Sequence, residues 1–342
     1  MTMEDKAVNW LLESGDPSIR YITLTEILDT PADSNEAQSV RKQIPEGQLA
    51  KTLLAGQLPD GGFGNHPYSK WTGAHWRLVS LVELGIPPGY EPAVKATDGV
   101  LDWLTGPGHI RGIEEVNGLT RRCASQEGNA LAVCSRLGLA DDPRVKQLAE
   151  SLVKWQWPDG GWNCDNREDT KHSSFNESLA TLWGLVEYYR ATGDPDSRRA
   201  ADKASEFFLR HRLFRSCRSN EERPPETLHG TMFREIRPWT QLHYPLYWHY
   251  DILQALIILS RAGKLEDPRT KEAQDLILSK KGPDGLWSPE GYYWAIARKP
   301  TEVKRSNIEV VDWGRRAPNK MITLNALRVL KAAGRLLIKR EM

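Results

Sequence analysis

Apolar residues recur at helical spacing along nearly the whole chain, and two kinds of helix alternate. Six segments, 4–14, 36–55, 91–104, 143–156, 196–210 and 268–280, keep charged residues on one side, as helices of an outer layer do. Six others, 18–29, 72–84, 124–137, 174–190, 246–262 and 319–336, are apolar on most sides. The runs Ser178–Glu187 and Ile252–Leu259 are the clearest of these. Gly73, Ala74, Gly128, Ala130, Gly184 and Ala255 lie within them, and such small residues let helices approach closely. The alternation predicts an all-α fold, an (α/α)6 toroid of six inner and six outer helices in a single domain over 1–342.

The connections differ by direction. Links from inner to outer helices are short and stop and restart the helix with Gly, Asp and Pro, as at Gly15-Asp16-Pro17, Gly138 to Pro143, Gly193-Asp194-Pro195 and Gly263 to Pro268. Links from outer to inner helices are long, at 57–71, 105–123, 157–173, 211–245 and 281–318, where a median of about 4–6 residues is usual. In a toroid these long loops emerge at one end, which is the expected ligand face, with 211–245 and 281–318 its largest elaborations. The N-termini of the inner helices point to the same end.

Three of the long links open with one turn: Gln57-Leu58-Pro59-Asp60-Gly61-Gly62-Phe63, Gln156-Trp157-Pro158-Asp159-Gly160-Gly161-Trp162 and Lys281-Gly282-Pro283-Asp284-Gly285-Leu286-Trp287. Pro sets φ, Asp bonds to nearby backbone, Gly takes positive φ, and the closing aromatic is expected to pack back on the preceding helix. This turn resembles the QW-type repeat of the terpene cyclase and protein prenyltransferase β-subunit superfamily. Lys154 to Trp162 is the closest match. His211 to Ser216 and Leu246 to Leu253 are similar to segments of a bacterial squalene-cyclase-like group. The resemblance implies a toroid with a central cavity for a small, largely apolar, isoprenoid-type substrate.

The resemblance also sets exclusions. Class II cyclases protonate substrate with an Asp-Xaa-Asp-Asp motif, which this chain lacks; Asp165 to Asp169 has the wrong spacing. The prenyltransferases hold zinc with an Asp-Xaa-Cys pair and a later His. Here the nearest set is Cys164, Asp165 and His249, in a different order, so a zinc site would use those three; the alternative is that Cys164 packs beside Trp162 and Asp165 caps a turn. No other cofactor is expected.

Charge is balanced, 46 basic against 45 acidic residues, so no global field selects nucleic acid. The start has no basic, apolar leader pattern, and no apolar run approaches the ~18 residues of a membrane span. Cys123, Cys134, Cys164 and Cys217 lack paired spacing, which fits a reducing cytoplasm. Thirteen tryptophans in 342 residues need an aromatic-lined cavity or a packing role in the turns.

Candidate chemistry gathers at the predicted starts of inner helices. Tyr247, Trp248, His249 and Asp251 open the fifth; Asp251 is either a desolvated general acid or a cap for the helix N-terminus, and His249, two positions away, faces another side. Trp71, His75 and Trp76 open the second, with Trp71 and His75 on one face. Cys123, Glu127 and Asn129 open the third, Cys123 and Glu127 sharing a face; His172 and Asn176 share one on the fourth. Asp251, His249, Glu127, His172 and Cys123 are the proton-transfer candidates, and the aromatic and Asn side chains the substrate contacts; each also fits a satisfied core position. Arg210, Arg212, Arg215, Arg218 and Arg223, with Arg298, Lys299, Lys304, Arg305, Arg315 and Arg316, make two loops basic enough for an anionic head group, or for pairing with Glu221, Glu222, Glu302 and Glu309.

The reading is an enzyme doing acid/base chemistry, a lyase, isomerase or cyclase, on a small ligand in the cavity. A carbohydrate-active (α/α)6 enzyme would need two facing carboxylates. A toroid that only binds a ligand or protein is the third possibility.

Overall fold

The computed structural model describes residues 3–215, 239–298, 307–315 and 318–336; Cys217, Arg218, Glu221, Glu222, Arg223, Lys299, Glu302, Lys304, Arg305 and Arg316 fall outside them. Helix dominates. The amphipathic set, expected as outer helices, is α1 (Met3–Leu12), α3 (Asn35–Arg41), α4 (Gln48–Leu54), α6 (Glu91–Thr105), α9 (Pro143–Lys154), α11 (Pro195–Arg210) and α13 (Lys271–Ser279). The apolar set is α2 (Pro17–Ile22), α5 (Ala74–Glu83), α8 (Ser125–Arg136), α10 (Phe175–Thr192), α12 (Ile252–Arg261) and α14 (Lys320–Ala332).

The apolar helices are spatial neighbours in chain order. α5 packs on α8, α8 on α10, α10 on α12, α12 on α14, and α14 on α2 and the π-helical turn Thr23–Ile27 that prolongs it. The tightest of these contacts is glycine-made. A Cβ on Gly128 of α8 would lie 2.5 Å from the Cα of Thr181, and one on Gly184 of α10 would lie 2.4 Å from the Gly128 carbonyl oxygen. A Cβ on Gly85, just beyond α5, where φ is +82°, would lie 3.2 Å from the Tyr21 ring of α2.

The Asp-Pro restarts work as helix caps. Asp16, Asp142 and Asp194 each accept a backbone N–H from the first turn that follows, at 2.8–2.9 Å, with Pro in the first helical position.

The three repeated turns share one hydrogen-bond pattern. The residue after the opening one donates its N–H to a carbonyl four positions on: Leu58 to Gly62 (2.8 Å), Trp157 to Gly161 (2.9 Å) and Gly282 to Leu286 (2.8 Å). Gly61, Gly160 and Gly285 take φ of +87°, +105° and +84°. The indoles of Trp162 and Trp287 donate to Leu152 and Ile277 carbonyls of the preceding outer helix. Their backbone N–H groups donate to Ser178 and Thr323 hydroxyls of the following inner helix. Phe63 instead packs under the Arg77 guanidinium, 4.0 Å away.

The opening residue of each turn reaches sideways. Gln57 Nε2 donates to the Pro92 carbonyl of α6 (2.8 Å), and Gln156 Nε2 to the Ala200 carbonyl of α11 (2.8 Å). Lys281 Nζ pairs with Glu4 of α1 at 2.9 Å.

Three predicted elements differ. The segment 36–55 is broken into α3, a 3-10 turn (Ile44–Glu46) and α4, because Pro45 cannot continue a helical ladder. Residues 105–123 hold a short helix, α7 (Pro107–Ile110), and a hairpin of β1 (Glu114–Val116) and β2 (Leu119–Arg121). Asn117 and Gly118 supply the two positive φ angles of its tight turn. The fifth inner helix starts at Ile252, not at 246. Pro245 and a left-handed Tyr247 (φ +58°), in a turn closed by the His249 N–H on the Leu246 carbonyl (2.9 Å), keep that stretch out of the helix, and Asp251 begins the helix as its cap. A last strand pair, β3 (Ala295–Ile296) with β4 (Ile308–Glu309), is parallel.

Candidate functional site

The N-terminal ends of α5, α8, α10 and α12 bring most of the expected residues together, though not in the expected pairs. Trp71 stacks on Tyr247 with ring centres 4.2 Å apart, and the edge of Trp76 meets both, at 4.9 and 5.3 Å. His75 lies against Trp76 at 4.6 Å, and His249 is sandwiched between Trp248 (3.9 Å) and Tyr293 (3.5 Å). Trp71 is fixed by its indole N–H on the Tyr293 carbonyl, 3.2 Å away. Because it precedes α5, its contact with His75 is not a shared helix face; both meet through Trp76. Tyr247 pays for its place in this wall with a backbone conformation that costs on the order of 1–3 kcal/mol.

Both histidines are held neutral. Burial pushes His75 and His249 down to about 3, and for His249 the Lys70 ammonium and His243 add to the effect. His249 Nδ1 lies 3.0 Å from the Leu246 carbonyl, so it carries the proton and Nε2 keeps a lone pair. The Lys70 ammonium sits over the Trp248 ring at 5.1 Å, and partial burial lowers its pKa.

A second group adjoins this wall through Tyr68, which touches His75, Trp76 and Trp103. Cys123, Cys164 and Glu177 place one sulfur each and a carboxylate oxygen within 4.8 Å of one another. Cys164 Sγ is 3.7 Å from Glu177 Oε1, and Glu177 Oε2 accepts the Ser125 N–H at the start of α8 (3.0 Å). Burial lifts the Glu177 carboxyl, and the nearby Glu127 charge lifts it further. The Cys164 thiol is raised by its hydrogen bond with Cys123, then by burial and Glu177. The Tyr68 phenol is raised by burial and by Glu177. The Cys164 thiol and the Glu177 carboxyl are thus held where their charged forms are disfavoured, with the Cys123 thiol beside them.

Glu127 does not pair with Cys123. Its Oε1 takes Arg122 Nε (2.9 Å) and His109 Nε2 (3.0 Å), while Oε2 is buried with no partner among the described residues.

The metal set expected from sequence is not the one formed. Asp165 turns to Arg167, 2.7 Å away, which holds its carboxyl well below the usual range, and His249 belongs to the aromatic wall. Cys164 is joined instead by Cys123 and Glu177. Tetrahedral zinc ligands about 2.3 Å from the ion stand about 3.7 Å apart, so small side-chain rotations bring these donors into range. Cys₂Glu leaves a fourth position open, as catalytic zinc sites do.

Asn129, Asn176, Tyr247, Trp248 and His249 line one cavity, but its space for water centres is about 20 Å³, room for about one water. His172 is exposed on the loop before α10 and joins neither group; its carbonyl accepts from Asn163. Several of the described basic-loop residues have partners: Arg210 bonds the Asp159 carbonyl, Arg215 pairs with Glu272, and Arg315 lies over Tyr292 and Trp294. Sequence reasoning passed over Tyr68, Lys70, Glu177, Tyr293 and His243. Of these only Glu177 carried a signal, three residues after Ser174 at a helix start; its N–H is 3.4 Å from the Ser174 hydroxyl.

Asp251 is fully buried, with Oδ1 accepting the Gln254 N–H and Oδ2 the His243 N–H, both at 2.9 Å.

No protein-family model matches the chain, and no curated protein matches it. Among solved structures it is similar to a protein from Actinoplanes, at 14% identity and a TM-score of 0.42, covering 97% of this chain and 98% of that one. It is also similar to a variant of the type II terpene cyclase MstE from Scytonema in complex with its substrate geranylgeranyl dihydroxybenzoate. Identity there is 15% and the TM-score 0.43, covering 98% of this chain and 97% of that one.

With two backbone donors on one buried carboxylate, Asp251→Ala is expected to lower unfolding free energy by about 1–3 kcal/mol. Urea denaturation measures this, and an unchanged midpoint would remove the capping role.

Proposed function

We propose that the chain is one (α/α)6 toroid over 1–342 and an enzyme of the terpene-cyclase-like kind, doing acid/base chemistry on a small, largely apolar substrate. Its reacting end is the one where the inner helices start. The observation that carries this reading is the convergence of Cys123, Cys164 and Glu177, from two inner-helix starts and the turn between them, beside the wall of Trp71, Trp76 and Tyr247. The sideways reach of Gln57, Gln156 and Lys281 supports the toroid, since each opening residue bridges to the outer helix that comes next around a ring.

The roles follow from the environment of each group. Glu177, whose carboxyl pKa burial raises, is assigned as the proton donor, and Tyr68 shares that end of the site. His249 Nε2, neutral and with a free lone pair, is the acceptor. Glu127, clasped by Arg122 and His109, adds negative charge near Glu177 and so maintains its raised pKa. The space of about 20 Å³ beside the aromatic faces has to widen by side-chain movement to admit an apolar substrate, whose developing positive charge those faces then stabilise.

A donor Glu177 must be protonated, so turnover is expected to fall as pH rises through its elevated pKa. Incubation with C10–C20 isoprenoid alcohols and acids in heavy water, read by mass spectrometry, tests the assignment. Turnover of one member should drop at least about 100-fold in Glu177→Gln. Full activity in that variant, or transformation of no member, would contradict the reading.

The donor set favours a second reading, in which Cys123, Cys164 and Glu177 hold zinc. The ion would polarise a substrate oxygen or lower the pKa of a bound water. Those side chains would then be deprotonated, reversing the pKa displacement seen without it. Elemental analysis should find close to one zinc per chain, lost in Cys164→Ser; metal-free protein purified from zinc-supplemented cells would leave the proton-donor reading in place.

A further inference from the structure

The larger cavity lies at the other end of the inner helices, away from the thiols. It has about 410 Å³ of space for water centres, within the size range of small-molecule sites, against about 20 Å³ near the aromatic wall. Its lining includes Arg41, Arg136, Arg190, Arg261 and Arg328. Two are neutralised. Arg261 is clasped to Glu187, and Arg328 donates to Glu26 at 2.7 Å and to Asn325 Oδ1 at 2.9 Å.

Arg136 is different. It stands in the last turn of α8, half-buried, and among the described residues it has no ion pair and no hydrogen bond. Cations at a helix C-terminus commonly bond the last carbonyls, yet no carbonyl there accepts from it. Burial, followed by the charge of Arg261, pushes its pKa down to about 10, so it remains a cation at neutral pH. Glu83 offers little compensation. Burial raises its carboxyl, and it is already bonded to Tyr244 and Gln254. Arg41 contributes a buried Nε with no partner among the described residues. Ile22, Ile257, Ile258 and Met321 form an aliphatic part of the wall, beside Thr25, Gln254, Ser260 and Asn325.

An unpaired guanidinium facing a cavity costs free energy unless an anion meets it, and a planar fork of donors matches phosphate and carboxylate oxygens. We propose that this cavity binds the oxyanion head, phosphate or carboxylate, of a small amphiphilic molecule, with Arg136 gripping the head and the aliphatic wall taking the body. The proposal rests on observations separate from those at the thiol end.

Calorimetric titration with octyl phosphate, octanoate and 1-octanol tests it, with the exposed Arg111→Met as control. At least one anionic probe should bind in 1:1 ratio and at least tenfold more tightly than octanol. Arg136→Met should lose at least tenfold of that affinity while Arg111→Met keeps it. Phosphate binding alone would identify a phosphate site, and octanoate binding alone a carboxylate site. The nearest acids, Glu187 and Glu26, are held by Arg261 and Arg328, and Arg136 has no partner of its own among the described residues. Unliganded Arg136→Met should therefore melt no lower than the wild type; a lower melting temperature would mark Arg136 as a structural charge and overturn the proposal. Should that variant misfold, Arg136→Lys, which keeps charge but loses the fork, should bind the anionic probe more weakly than wild type. Binding of neither anion, equal binding of octanol, or unchanged affinity on removing or replacing Arg136 would also overturn it.

Discussion

One side chain at the start of each repeated turn ties the layers of this fold together. Gln57 and Gln156 each spend both amide hydrogens on carbonyls, one within their own turn and one on the next outer helix. The turn also anchors an aromatic between the helix it leaves and the helix it enters, as Trp162 and Trp287 do. One seven-residue device therefore sets the spacing of two outer helices and an inner one. In the third copy the opening residue is Lys281, and its partner is Glu4, on the first helix of the chain. That substitution of an ion pair for an amide–carbonyl bond is what the last turn would need if the helix beside it were the first.

The proposed ring gives the molecule two chemically unlike ends on a common axis. At one, inner-helix starts present thiols, a buried carboxyl and neutral histidines against stacked indoles. At the other, inner-helix ends present guanidinium groups around open space. Glu83, Trp183, Tyr244, Gln254 and Ile258 border both cavities. The Glu83 carboxyl is bonded to Tyr244 and Gln254, so the layer between the ends is a packed polar knot and not an open channel. The glycine contact of α8 with α10 brings their backbones together where Gly128 and Gly184 meet.

Much of the helical order was legible because it depends on local rules. Apolar periodicity marked the elements, and Asp-Pro pairs marked their starts, as Asp142 and Asp194 show. What escaped was decided by contacts distant in sequence. The fifth inner helix loses its first six expected residues because Tyr247 is drawn onto Trp71, far away in the chain. Cys164 is completed by Cys123 and Glu177, a combination that no spacing rule within one helix selects. Asp251 and Glu127 illustrate the reverse: each is an acid at a helix start, and both are occupied by cap or ion-pair contacts that sequence alone left open.

In the proposed ring the first and last helices are neighbours. Zero-length carbodiimide coupling of the monomeric protein, followed by peptide mapping, tests it directly, because Glu4 pairs with Lys281 and Asp29 with Lys331. Intramolecular amide links joining Glu4 to Lys281 and Asp29 to Lys331 are expected. Coupling confined to residues close in sequence, with neither of these links formed, would contradict a closed ring and indicate an open array of helix pairs.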